Sequence, residues 1–323
     1  MGDMAGIWAI GIDIGGTAVK CGLVLGDGTH REAGSHPTEA ARGVDHVIGR
    51  IADHVRRLCD ATRAAGSGPA GVGVGVPGTL SHRRGVVFAP PNLPGWKNVP
   101  LAERLAGATG LRVTVDNDAN CAALGEHRRG AGRGTADMVL LTLGTGVGGG
   151  IIAGGKLWRG ANENAGEFGH MIVRIGGRRC TCGQSGCLEA YASASNTAAR
   201  AVEWIRSGEA SSLAAILQAG DELDARAVAE AAAGGDRVAG AVWRETCECL
   251  AVACLNIQHG WGPGRIVLGG GMSAAGDRLL RPVREAMERI GSRMLGPPPE
   301  IRLAELGNDA GFIGAGLCAL EEV

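Results

Sequence analysis

Three times in this 323-residue chain, a run of apolar residues at strand spacing ends in a cluster of glycines. The runs are IWAIGIDIGGTAVKCGLVL at 7–25, MVLLTLGTGVGGGIIAGGKLW at 138–158 and RIVLGGGMS at 265–273. A strand that breaks on glycine and resumes as a strand predicts a tight hairpin whose backbone N–H groups no side chain screens. The first such hairpin is followed by a second turn at Asp27-Gly28. Glycine fills 57 of the 323 positions, so any one cluster alone reads as an ordinary turn, and the recurrence carries the weight.

Between the glycine runs the apolar spacing changes from two to that of a helix. Val44, Val47, Ile48, Ile51, Val55 and Leu58 predict a helix over 43–65. Further helices are predicted from about 101, over 119–127, near 188–207 and 224–233, over 236–259, near 277–291 and over 309–322. Strands at 71–76 (stopped by Pro77-Gly78), 111–115 and 300–306 complete an α/β pattern, with Pro297–Pro299 ending the helix before the last strand. The length suits two domains, and GAGRGT at 130–135 interrupts the pattern between them. The expected division is a smaller α/β domain over 1–131, joined by the C-terminal helix 308–323, and a larger α/β domain over 132–307. The two strand–glycine–strand units point to a weak internal duplication.

Several function classes are disfavoured. The formal net charge is −1, and no Lys/Arg run goes beyond short pairs such as Arg128-Arg129 and Arg178-Arg179, so nothing marks a nucleic-acid surface. The opening MGDMAGIWAIGIDIGG has an acidic residue before an apolar run that Asp13 breaks, unlike a signal peptide or a membrane span. A cytoplasmic protein with small-molecule partners is expected. In a reducing compartment the ten cysteines read as metal ligands or buried thiols rather than as a disulfide framework.

Gly144-Thr-Gly-Val-Gly-Gly149 fits the dinucleotide spacing G-x-G-x-x-G, but that motif must open a helix, and here Gly150-Ile-Ile-Ala continues as a strand. A Walker loop fails as well, because no Gly-Lys followed by Ser or Thr is present in either turn. What remains is a choice between plain turns and backbone nests for phosphate oxygens. The nest reading takes in Gly144, Thr145, Gly146, Gly148 and Gly149, then Gly15, Gly16 and Thr17 of the first hairpin, and Gly269, Gly270 and Gly271 of the third run. Asp13 adds a carboxylate suited to Mg²⁺ through water, and Lys20 a cation. The loop Asp116-Asn-Asp-Ala-Asn120 stands where a strand gives way to a helix. There Asp118 reads either as a helix cap or as a catalytic carboxylate.

Cys180, Cys182 and Cys187 fall within eight residues among glycines, and His170 lies ten residues upstream. Together they make a Cys₃His set, the closed tetrahedral coordination of structural zinc. Cys247, Cys249 and Cys254 repeat the spacing inside a helical run, where Cys249 points away from the other two, so they read as buried thiols.

Taken in order, DIGGT, NDAN, LGTGVGGG, GEFGH and the cysteine segment resemble the ROK family over nearly the whole chain, and within it the zinc-containing bacterial glucokinases. The resemblance implies a duplicated actin-like ATPase (ribonuclease H-like) fold with a cleft between its domains. It implies ATP-dependent phosphorylation of a hexose at its 6-hydroxyl, with glucose favoured, N-acetylglucosamine or N-acetylmannosamine as alternatives, and a homodimer. It also implies roles: Asp118 as general base and sugar contact, with Asn117, Glu167, His170 and Glu189 as sugar ligands and Gly78 and Asn92 in loops beside the sugar. Asp116 reads as structural and Trp96 as a loop anchor. ATP, Mg²⁺ and structural Zn²⁺ are the implied cofactors. From another class, a non-catalytic, sugar-sensing regulator of the same fold is an alternative, and the family's transcriptional repressors carry a helix-turn-helix domain before the first hairpin. The strand starting near Ile7 leaves no room for one, and Asp118 is present, so catalysis is expected.

Overall fold

The computed structural model describes residues 7–63, 68–291 and 298–322; residues 1–6 of the opening run, the last two positions of the helix expected over 43–65, and Pro297 lie outside them. The chain forms two compact units. One comprises Met1–Ala136, Gly150–Gly166 and Glu305–Val323; the other comprises Asp137–Gly149 and Glu167–Ala304.

In the first unit, β1 (Trp8–Ile14) and β2 (Ala18–Leu25) form the expected antiparallel hairpin, with Asp13 opposite Lys20. Next, β3 (His30–Pro37) pairs with β2, and α1 (Val44–Arg63) buries Val47, Ile48, Ile51, Val55 and Leu58. The strand β4 (Val72–Val76) runs parallel to β1 and is buried along its whole length. A small antiparallel sheet of β5 (Leu80–Ser81), β6 (Val86–Val87) and β7 (Val99–Pro100) precedes α2 (Leu101–Thr109). Then β8 (Val113–Asn117), parallel to β4, passes directly into α3 (Asp118–Arg129). The main sheet has the order β3-β2-β1-β4-β8.

In the second unit β9 (Met138–Leu143) turns at Gly144–Gly146 into β10 (Val147–Ala153), whose far end, with β11 (Lys156–Leu157), belongs to the first unit. After α4 (Glu189–Ala192), α5 (Ala194–Arg206), α6 (Ala214–Gln218), α7 (Ala225–Ala233) and α8 (Arg237–Trp261) comes β12 (Arg265–Gly269), parallel to β9. The helix α9 (Asp277–Ile290) leads to β13 (Glu300–Leu303), parallel to β12, and α10 (Ala310–Glu321) closes the chain in the first unit.

Three expectations are corrected. The helix read as continuous over 188–207 breaks at Ser193, which turns extended and caps α5 by accepting the Asn196 N–H. The last strand ends at Leu303 rather than 306. Residues 150–166 join the first unit, where a side chain on Gly150 would strike Ala123 and the Ala119 carbonyl of α3. In α10, buried from Ala310 to Leu320, the backbone approaches so closely that Gly11 of β1 and Gly73 of β4 must lack side chains, as must its own Gly314 against Cys121 of α3. Glu126 of α3, fully buried, accepts N–H groups from Ala131 (2.8 Å), Glu305 (3.1 Å) and Leu306 (2.8 Å), tying the entry to α10 to the rest of the unit. Among the described residues no helix is long and apolar enough to cross a membrane.

Candidate active site

The first unit gathers one set of candidate residues around the ends of β1 and β8. Asn117, the last residue of β8, caps α3: its Oδ1 accepts the N–H groups of Ala119 (2.9 Å) and Asn120 (3.2 Å), and its Nδ2 donates to Gly78 O at 3.3 Å. The cap is therefore Asn117, which removes the helix-cap alternative for Asp118. Asp118 is the first helical residue, and its Oδ1 takes the neighbouring Ala119 N–H at 2.9 Å. Asp116 is buried and held on three sides. Its Oδ1 accepts Asn117 N–H (2.7 Å) and Asn120 Nδ2 (2.9 Å), and its Oδ2 accepts Arg159 Nε (2.7 Å).

Asp13 keeps only part of its surface open, with its Oδ2 filling the space a Gly311 side chain would need. Burial pushes its pKa up to about 7, the charge of Asp118 adds to the rise, and Lys20 opposes it. Lys20 also donates from Nζ to Asn308 O at 3.1 Å. The turn after β1 is braced by Thr38, whose hydroxyl donates to Gly15 O (2.6 Å) and whose N–H donates to Thr17 O (2.9 Å). A Cβ on Gly16 would sit 2.9 Å from Asn92 Cβ, so Asn92 lies on the DIGGT turn. Gly78 packs on Pro90 in the same way, and Trp96 is buried at 3% exposure.

The second unit gathers the rest. Gly144 N–H closes the β9–β10 turn on Gly146 O at 3.0 Å, leaving the amides of Thr145 and Gly146 outside any hydrogen bond among the described residues. Gly148 and Gly149 lie within β10 rather than in the turn. Gly270 adopts φ +79° with its Cα against the Leu143 backbone, which a side chain would strike at 2.6 Å. That approach seats the Gly269–Gly271 run beside the turn. Gly271 opens onto a cavity of about 730 Å³ lined also by Ala194, Asp224, Trp243, Met272 and Arg278. Ala194 N–H donates to Gly144 O at 2.7 Å, so one wall of the cavity is bonded to the turn. These lining residues were not legible in the sequence, where they lie scattered over four segments. Only Gly271 carried a signal.

Glu189, first in α4, accepts the Val147 N–H through Oε2 at 3.0 Å, and a Cβ on Gly146 would fall 2.5 Å from the same oxygen. Its Oε1 stands 3.9 Å from Cys180 Sγ. The carboxylate thus bridges the glycine turn and the cysteine segment. Gly169 packs on the Val147 carbonyl, placing the 3-10 turn Phe168–His170, with Glu167 just before it, against the start of β10.

The ligand atoms of His170, Cys180, Cys182 and Cys187 all lie within 4.8 Å of one another, the one such group among the described residues. Cys182 Sγ is 3.7 Å from Cys187 Sγ, and His170 Nδ1 is 3.8 Å from Cys180 Sγ. A tetrahedral ion with metal–sulfur bonds of about 2.3 Å has sulfur–sulfur edges of roughly 3.8 Å, so these side chains fit zinc. His170 Nε2, turned away from the sulfurs, lies 3.9 Å from Glu167. Cys247, Cys249 and Cys254 are all buried in α8.

The model of the ROK family matches residues 9–322. A glucokinase from Halalkalibacterium halodurans is 39% identical over 97% of this chain and 95% of its own. Among solved structures, a ROK hexokinase from Thermus thermophilus is 32% identical, with a TM-score of 0.80 over 98% of this chain and 99% of that one. A ROK family glucokinase from Streptomyces griseus, solved with glucose and AMPPNP, is 34% identical, with a TM-score of 0.79 over 97% and 99%.

Proposed function

Since the chain belongs to the ROK family and has its actin-like ATPase fold, we propose that it transfers the γ-phosphoryl group of ATP to the 6-hydroxyl of a hexose, with glucose as the favoured acceptor. It is a sugar kinase. The observation that carries the mechanism is that Asn117 caps α3 and leaves Asp118, at the first turn, beside Asp13.

A hydroxyl attacking phosphorus must lose its proton, and a carboxylate within hydrogen-bond reach takes it as the bond forms. In this reading Asp118 is that base, and Asn117, Glu167, His170 and Glu189 orient the sugar with the loops of Gly78 and Asn92. The amides of Thr145 and Gly146 and the DIGGT turn hold phosphates, and the cavity beside Gly271 takes the adenosine. Asp13, with a second carboxylate near it and a raised pKa, suits a divalent cation. Mg²⁺ there would neutralise charge on the nucleotide phosphates. Zinc fits His170 and the three cysteines as a closed structural centre. A reducing, cytoplasmic setting belongs to the same reading, because zinc ligation needs Cys180, Cys182 and Cys187 reduced.

The test is a coupled assay of ADP formation with a panel of hexoses. Glucose is expected to give the highest kcat/KM; a preference for N-acetylmannosamine or N-acetylglucosamine would reassign the acceptor. No sugar-dependent turnover at all would favour the regulator reading. Gly146→Val gives a finer check. Its side chain would displace the Glu189 carboxylate and leave Val147 N–H unpaired, so the KM values for sugar and ATP should both rise, by roughly tenfold. An effect confined to ATP would mean that Glu189 does not serve the sugar.

A further inference from the structure

The first unit holds another cavity, of about 790 Å³, whose one lining residue named above is Arg159, the partner of Asp116. Of its charged lining residues four are cations, Arg128, Arg133, Lys156 and Arg159, and one, Glu321, is an anion. Glu321 is already engaged, because Arg128 Nη2 bonds its Oε1 at 2.5 Å. Arg133 stands 3.7 Å from Glu305 in an exposed pair. Lys156 is exposed directly after the Gly154-Gly155 turn. His127, also in the lining, donates Nε2–H to Thr135 O at 2.8 Å and leaves its buried Nδ1 without a partner. An open cavity with this excess of guanidinium and ammonium groups suits a phosphate, which arginine forks bind in two-point fashion.

We propose that this cavity is a binding site for the phosphate group of a small molecule, distinct from the site of the ATP phosphates, and that its occupation is transmitted to the catalytic loop through Arg159. The route is short. Arg159 Nε bonds Asp116 Oδ2 at 2.7 Å, and Asp116 Oδ1 holds both the Asn117 N–H and the Asn120 side chain. A phosphate dianion in the cavity competes with Asp116 for the guanidinium. Asp116, buried, then loses its countercharge, and the loop carrying Asn117 and Asp118 loosens. Binding therefore slows turnover. This last step rests on the kinase reading, whereas the binding itself does not.

Inorganic phosphate and a hexose 6-phosphate present the same group, and two titrations separate them. The protein is saturated with glucose and a non-hydrolysable ATP analogue, then titrated calorimetrically with inorganic phosphate and, separately, with glucose 6-phosphate. At least one should bind with Kd below about 1 mM, and the Arg133→Ala/Lys156→Ala double variant should weaken that binding by about tenfold or more. Equal affinities would identify the phosphate group itself as the ligand, and tighter binding of the ester would show that the sugar also contributes. In turnover assays the same compound should lower kcat in the wild type, and the variant should need about tenfold more of it. The proposal fails if neither compound binds, if the double variant binds as the wild type does, or if inhibition is competitive with ATP or sugar and equal in both proteins. A protein that binds but does not turn over any sugar would overturn the kinase reading and leave the site standing.

Discussion

Asp118→Asn is expected to lower kcat by about a thousandfold while changing sugar affinity by less than about threefold. The amide has nearly the shape of the carboxylate and can still accept the Ala119 N–H, so the helix start should survive, but it cannot take the hydroxyl proton. Pre-steady-state kinetics with direct sugar binding is the measurement, and residual turnover within tenfold of wild type would remove Asp118 as the base. The same variant has a second readout. Asp13 is raised to about 7 by burial first and by the charge of Asp118 second. A carboxyl whose folded pKa lies above its unfolded value contributes stability that is full below the unfolded value and is lost as pH rises through the folded one. Wild-type stability should therefore fall between about pH 4 and pH 7 on account of Asp13, and Asp118→Asn should shrink that loss. An unchanged pH–stability curve would mean the two carboxylates do not feel each other.

Stripping the metal with a chelator, or replacing Cys182 with Ser, should raise the sugar KM by roughly 10–100-fold, lower thermal stability, and affect the ATP KM far less. Four protein ligands leave no coordination position for substrate, so the ion acts by holding side chains in place. Two of those matter here: His170, whose Nδ1 faces the sulfurs while Nε2 faces Glu167, and Glu189, which follows Cys187 by two residues and lies against Cys180. Cobalt, which accepts the same tetrahedron, should restore both KM and stability. A metal-free protein with normal sugar KM, or a kcat that follows the Lewis acidity of the substituted ion, would show that this account of the centre is wrong.

The parts of the molecule set by local pattern were legible in the sequence. Alternation broken by glycine announced the β1–β2 and β9–β10 hairpins, and helical spacing announced α1, α8 and α10. The cysteine segment stood out because its spacing in a glycine-rich loop, unlike the same spacing inside α8, lets the thiols converge. What depends on contact between distant residues was not legible. β3, mostly polar, is an edge strand with only β2 to pair with, so it lacks the apolar run of an inner strand. The cap on α3 fell to Asn117 rather than its neighbour through a choice of backbone angle that Asn-Asp cannot announce. That Gly146 is glycine to make room for Glu189 joins residues 43 positions apart, and the return of 150–166 to the first unit rests on a glycine fitting against α3.

The placement of α10 also bears on how the polypeptide is made. The sheet of the first unit comes from residues that precede the second unit, and the helix that covers it, 310–321, follows the second unit. On the ribosome, β1 and β4 emerge early, yet Gly11 and Gly73 have nothing to pack on until Phe312 and Ala315 leave the exit tunnel. The half that carries Asp13 and Asp118 is thus begun first and finished last. During that interval the nascent chain must carry an uncovered apolar face through the synthesis of the whole second unit.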